Sequence, residues 1–239
     1  MNKKLKIALG IILALVIVIA GSALWYVNDY YHAEPSATAL LEGDENVTVT
    51  QIDNGLLLDG PGNDSALIFY PGAKIEYTSY LPLFMDLADD GVDCFIVEMP
   101  YNLAIFGMDS ADEIVNDNAY DYQKWYICGH SLGGVMASYY SLNHTDDLDG
   151  LILLAAYPAD DLGNMSVLSI YGSNDKTLNK ETYDESKSLM DYNLTEYVIE
   201  GGNHAQFGSY GNQSGDGAAS ISAENQRKQT KNEILEFIN

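Results

Sequence analysis

The sequence predicts an α/β fold, a mostly parallel twisted sheet with helices on both faces and an N-terminal β-hairpin. Three observations carry this prediction. Short, near-continuous apolar runs recur between residues 66 and 199, as strands covered on both faces do. Segments with apolar residues at helical spacing separate them, which is the alternation a parallel sheet needs. One run, Trp125-Tyr126-Ile127-Cys128, passes straight through Gly129-His130-Ser131-Leu132-Gly133-Gly134 into a helical segment.

Taken in order, residues 47–52 alternate, and 55–58 follow Asp53-Asn54, so a hairpin with an Asp-Asn-Gly turn is expected. Residues 66–70 read as a buried strand ended by Pro71-Gly72. Residues 80–90 read as a helix with Leu83, Phe84, Leu87 and Ala88 on one face and Gly91 closing it. A strand over 93–99 ends at Pro100, and a short helix over 110–118 has Ser110 and Glu113 at the spacing of a capping box. Residues 125–128 are a strand, 132–142 a helix, 150–156 and 167–171 strands. Residues 180–190 are a helix, 196–199 the last strand, and 223–237 a terminal helix. Residues 208–222 read as a loop, and no stretch between 93 and 126 is long enough for a large lid domain.

The N-terminus reads differently. Residues 7–27 are 21 uncharged residues in a row, about 31 Å as a helix, which matches a bilayer core of about 30 Å. Lys3, Lys4 and Lys6 precede the run, Asp29 and Glu34 follow it, and Trp25, Tyr26, Tyr30 and Tyr31 stand where an interfacial aromatic belt belongs. Residues 1–29 are therefore expected as a transmembrane signal anchor with the remainder extracytoplasmic. The alternative is a signal peptide cleaved near Gly21-Ser22-Ala23, with the domain secreted. Residues 30–46 read as a polar connector and 47–239 as one domain.

Composition narrows the partners. With 35 Asp+Glu against 11 Lys+Arg the formal charge is −24; such a field repels nucleic acid, which is not expected as a partner. Cys94 and Cys128 sit in strands expected to flank a third, roughly 9–10 Å apart. That is too far for a disulfide, and two buried free thiols are expected.

The strand–G-x-S-x-G–helix passage is the layout of a nucleophile elbow, which exposes Ser131 Oγ at the top of the sheet. A serine nucleophile needs a base, and the base an orienting carboxylate. Of four histidines, His204 alone follows a strand end, through Gly201-Gly202-Asn203, at the edge where open parallel sheets bind ligands. Asp175, in Gly172-Ser173-Asn174-Asp175, is the expected acid, with Asp160 and Asp161 as runners-up. Two backbone donors are needed for an oxyanion. Leu132 is one; the other comes from Pro71-Gly72-Ala73-Lys74, with Ala73 expected and Gly72 the alternative. Gly72, Asn102, Leu103, Phe106 and Phe207 are expected to line the substrate pocket, because they follow strand ends or the histidine.

On Tyr70-Pro71-Gly72-Ala73, Gly129-His130-Ser131-Leu132-Gly133-Gly134, Gly172-Ser173-Asn174-Asp175 and Gly201-Gly202-Asn203-His204, the chain resembles the α/β-hydrolase superfamily over roughly residues 65 to 238. It is most similar to compact dienelactone-hydrolase-like or serine esterase members. The resemblance implies an α/β-hydrolase fold and hydrolysis of small or medium carboxylic esters through a serine acyl-enzyme, with no metal or organic cofactor. Two departures stand out. The oxyanion loop reads Tyr-Pro-Gly where many relatives have His-Gly, and the elbow carries serine where dienelactone hydrolases carry cysteine. A lipase, or an acyltransferase acting on cell-envelope lipids, would use the same residues. A non-catalytic binding module of this fold is the alternative from a different class.

Overall fold

The structure, a computed structural model, describes residues 2–62, 64–190 and 193–239, and of Ala8 the backbone only. Met1, Asn63, Asp191 and Tyr192, which fall within the expected spans 1–29 and 47–239, lie outside the described residues. The chain divides into two units, the first ending at Tyr30 and the second spanning Tyr31–Asn239.

The first unit is a single helix, α1 (Lys3–Asn28), whose N-terminus is capped by the Asn2 side chain accepting from Lys4 N–H. Its 26 residues make about 39 Å of helix, and by length and composition it is long and apolar enough to cross a membrane.

Among the described residues the second unit is built on eight strands: β1 (Thr48–Ile52), β2 (Gly55–Asp59), β3 (Ser65–Tyr70), β4 (Asp93–Val97), β5 (Lys124–His130), β6 (Gly150–Leu154), β7 (Val167–Gly172) and β8 (Leu194–Ile199). They lie in the order β1-β2-β4-β3-β5-β6-β7-β8. The hairpin β1–β2 is antiparallel, and β2 adds antiparallel to β4. Every other pairing is parallel. The helices are α2 (Pro35–Thr38), α3 (Leu81–Asp89), α4 (Asp112–Val115), α5 (Leu132–Asn143), α6 (Lys180–Ser186) and α7 (Ala223–Ile238).

Apolar runs become central strands because both of their faces are covered. Leu67 and Phe69 of β3 enter one layer with Leu83, Phe84 and Leu87 of α3 and Ile234 of α7. Ala66, Ile68 and Tyr70 enter the opposite layer with Met136, Ala137 and Tyr140 of α5. Each such Leu, Ile or Phe side chain contributes roughly 1.5–3 kcal/mol by leaving water. Cys94 and Cys128 stand on either side of β3, at the registers of Leu67 and Phe69, and both are free and buried. Burial pushes both thiols well above their ordinary pKa.

Several boundaries differ from expectation. Within the expected polar connector 30–46, residues 31–46 belong to the second unit and pack on it: Tyr31 bridges to Ile75, Ala37 is buried, and Glu34 accepts from Ser209 Oγ at 2.8 Å. Strand β6 stops at Leu154 because Ala155 takes φ 49° and turns the chain. The helix expected over 180–190 tightens into a 3-10 turn over Lys187–Leu189. The expected Ser110–Glu113 capping box does not form, and α4 starts at Asp112 without a side-chain cap. Here the buried Tyr70 phenol does the capping from the sheet, accepting from Ala111 N–H (2.9 Å) and donating to Met108 O (2.8 Å).

The topology places the site. From β3 the chain moves outward to β4, crosses back past β3 to β5, and continues the other way through β6, β7 and β8. Strand order therefore reverses between β3 and β5, and the crevice beyond their C-terminal ends is where such sheets bind ligands.

Candidate active site

Ser131 sits between β5 and α5 with φ 53° and ψ −124°, a region that costs a non-glycine residue of order 1–3 kcal/mol. The surroundings hold it there. Its N–H donates to Leu154 O (2.9 Å), and its carbonyl accepts from Gly134 and Val135 at the start of α5. The flanking glycines make the turn possible, since a Cβ on Gly129 would lie 2.5 Å from the Gly133 carbonyl carbon.

His204 follows β8 and is 1% exposed. Its Nδ1 donates to Asp175 Oδ2 at 2.8 Å, so in the neutral ring the proton is on Nδ1 and Nε2 carries the lone pair. Nε2 is buried and has no hydrogen-bond partner among the described residues. Asp175 follows β7, and its Oδ1 accepts from Thr177 N–H and Leu178 N–H, both at 2.8 Å. Burial alone would raise this carboxyl, but the His204 bond and charge and the two backbone donors outweigh it and hold its pKa below the usual value. The runners-up Asp160 and Asp161 are exposed and accept from Asp161 N–H and Gly163 N–H within their own turn.

Beyond β3, Gly72 N–H donates to Tyr80 Oη (3.2 Å) and is not free for a ligand. Lys74 N–H donates to Asn102 O. Between them Ala73 N–H, and also Leu132 N–H at the first position of α5, donate to no acceptor among the described residues. The helix N-terminus adds partial positive charge at Leu132.

Ser131 and His204 line one cleft of about 200 Å³. Its other walls are Leu132, Val135, Ala155, Ala156, Tyr157 and the Thr177–Leu178–Asn179 turn. The residues expected to form the pocket stand elsewhere. Phe207 is fully buried against the His130 ring (centroids 5.5 Å), and Gly72 lies on His130 and Tyr80. Asn102 contributes its carbonyl to Lys74, Leu103 is half-buried beside it, and Phe106 is 62% exposed, edge-on to Tyr101. Apart from Leu132 and Val135 of α5, the other walls of this cleft follow β6 and β7, at the same strand ends whose position marks Asp175 in the sequence.

Residues with no sequence signal hold the site from behind. Asp216, in the loop before α7, accepts from Ala205 N–H with one oxygen and from Lys176 N–H with the other. It thereby ties together the residues that follow His204 and Asp175. Gln226 of α7 accepts from Asn203 N–H and donates to Asn203 O. Among the described residues no group of three or more His, Cys, Asp or Glu is arranged to hold a metal ion.

Comparison with known proteins agrees with this architecture. A family model described as "Alpha/beta hydrolase family" matches residues 66–228. No curated protein matches the chain. Among solved structures, Est1E from Butyrivibrio proteoclasticus superposes with a TM-score of 0.56 at 15% identity, covering 81% of this chain and 99% of that one. A bacterial heroin esterase gives 0.57 at 12%, covering 85% and 89%. TT1662 from Thermus thermophilus gives 0.57 at 12%, covering 81% and 98%. At these identities the likeness is one of fold.

Proposed function

The chain belongs to the alpha/beta hydrolase family, and on that premise we propose that it is a serine hydrolase cleaving small carboxylic esters through Ser131, His204 and Asp175. His204 Nε2 takes the proton of Ser131 Oγ as the oxygen attacks the ester carbonyl. Asp175 keeps the imidazole in the required tautomer and stabilises the imidazolium. The carbonyl oxygen, now negative, is met by Ala73 and Leu132 N–H, and His204 returns the proton to the departing alcohol. Water then attacks the acyl-Ser131 ester by the same route, releasing the acid and restoring the hydroxyl.

The observation that supports this most is the state of His204. Its Nδ1 is committed to a buried carboxylate, while Nε2 is buried with no partner among the described residues, in the cleft that contains Ser131. A buried polar nitrogen left so costs about 1–3 kcal/mol, which a reacting hydroxyl recovers. The cleft volume of about 200 Å³ is below the 300–1,000 Å³ of drug-sized sites, and favours a short acyl chain. The net charge of −24 favours neutral or cationic esters over anionic ones. The helix Lys3–Asn28 is read as a signal anchor, with Lys3, Lys4 and Lys6 at its N-terminal end cytoplasmic and the catalytic unit outside.

The test is a p-nitrophenyl ester series from acetyl to palmitoyl. The highest kcat/KM is expected at two to four acyl carbons, and Ser131→Ala should remove turnover at every length. Preference for chains of ten or more carbons would replace the small-ester reading with a lipid one. Turnover that survives Ser131→Ala would end the serine mechanism.

A further inference from the structure

Two fully buried groups beneath the cleft take no part in the chemistry above, Tyr80 and His130. Their hydrogen bonds form one chain whose proton positions can be assigned. The His204 carbonyl only accepts, so His130 Nε2, 3.1 Å away, must carry a proton. Burial, and next the neighbouring His204, hold the His130 pKa well below its ordinary value. The ring is thus neutral and its Nδ1 is an acceptor. Tyr80 Oη, at 2.8 Å, donates to Nδ1 and itself accepts from Gly72 N–H at 3.2 Å.

The two ends of this chain belong to loops that follow different strands, β3 and β8. Gly72 immediately precedes Ala73, and His204 carries the base. The loop after β3 rests directly on the pair, since a Cβ on Gly72 would lie 2.8 Å from His130 Nδ1 and 3.1 Å from Tyr80 Oη. The His130 and His204 rings are also in contact, with centroids 4.5 Å apart. We propose that Tyr80 and His130 are positioning residues that hold the Ala73 oxyanion donor and His204 in register with each other. This rests on the roles given above to Ser131, His204 and Ala73. The pair acts through geometry only, moves no proton during turnover, and touches no substrate.

A displacement of about 1 Å in a catalytic group costs on the order of 100-fold in rate, and losing one oxyanion donor costs about 10²–10³. Tyr80→Phe, which frees Gly72 N–H and His130 Nδ1, is therefore expected to lower kcat about 30- to 100-fold with KM within about threefold. His130→Gln keeps an N–H that can reach the His204 carbonyl and should retain more kcat than His130→Leu, which keeps neither bond. Because the two residues act as one unit, Tyr80→Phe with His130→Leu should be no slower than His130→Leu alone.

All variants are assayed on p-nitrophenyl acetate below their own thermal unfolding midpoints, beside wild type and Ser131→Ala. If Tyr80→Phe does not fold, the comparison of His130→Gln with His130→Leu decides. A kcat within threefold of wild type in Tyr80→Phe overturns the inference. So does a loss that merely follows the folded fraction, or equal kcat in His130→Gln and His130→Leu. An inactive wild type, or an active Ser131→Ala, counts instead against the hydrolase reading on which it rests.

Discussion

Asp175 shows how one residue's surroundings set both its charge and its use. Two backbone N–H groups and the His204 ring all favour the carboxylate over the acid. Its pKa is lowered on folding, so it contributes stability above its unfolded value of about 3.9. That contribution is lost as pH falls through the lower folded value. The stability gap between wild type and Asp175→Asn, read from urea midpoints, should hold from pH 7 to about 5 and close as acid protonates the wild-type carboxyl. Asp175→Asn should lower kcat by roughly 10⁴, because the imidazole is then held in the wrong tautomer. Asp160→Asn and Asp161→Asn should leave kcat near wild type. A rate loss in either of those, and not in Asp175→Asn, would reassign the acid. His204 and Asp175 were legible in the sequence because each follows an apolar strand through a short glycine-containing turn. Tyr80, His130 and Asp216 were not, because their contacts join residues between 8 and 74 positions apart.

At the scale of elements, what the sequence discloses depends on whether local or tertiary bonds decide. The central strands were readable because burial on both faces demands continuous apolar runs, and β3 through β7 carry them. Helix α4 departs from expectation at its N-terminus because the Tyr70 phenol, 41 residues from Ala111, supplies the donor and acceptor a local cap would have given. Tyr70→Phe leaves a buried Ala111 N–H without its partner and should cost about 1–3 kcal/mol. Ser110→Ala, which removes no cap, should stay within about 0.5 kcal/mol. Denaturant midpoints for the two variants check this, and a larger cost for Ser110→Ala would restore the local capping box. The expected pocket residues stand apart from the cleft for a related reason. Position after a strand marks the correct edge of a sheet, but which loops turn inward depends on backbone such as Ala155 at φ 49° and Asn102 at φ 54°.

Over the whole molecule, one strand-order reversal brings together groups that the chain keeps far apart. Ala73, Ser131, Asp175 and His204 follow β3, β5, β7 and β8, and only the parallel arrangement puts all four strand ends on one edge. The folded unit is more acidic than the full chain, because Lys3, Lys4 and Lys6 lie on the separate N-terminal helix. That surface opposes approach to polyanions at low salt. Everything functional, however, depends on Ser131 being a nucleophile that His204 activates. The most direct test is to treat the full-length protein with a fluorophosphonate and map the adduct by peptide mass spectrometry. Expected is stoichiometric phosphonylation of the peptide bearing Ser131, abolished in Ser131→Ala and slowed by orders of magnitude in His204→Ala. A folded wild-type chain that takes up no phosphonate, or takes it up at another serine, would contradict the assignment.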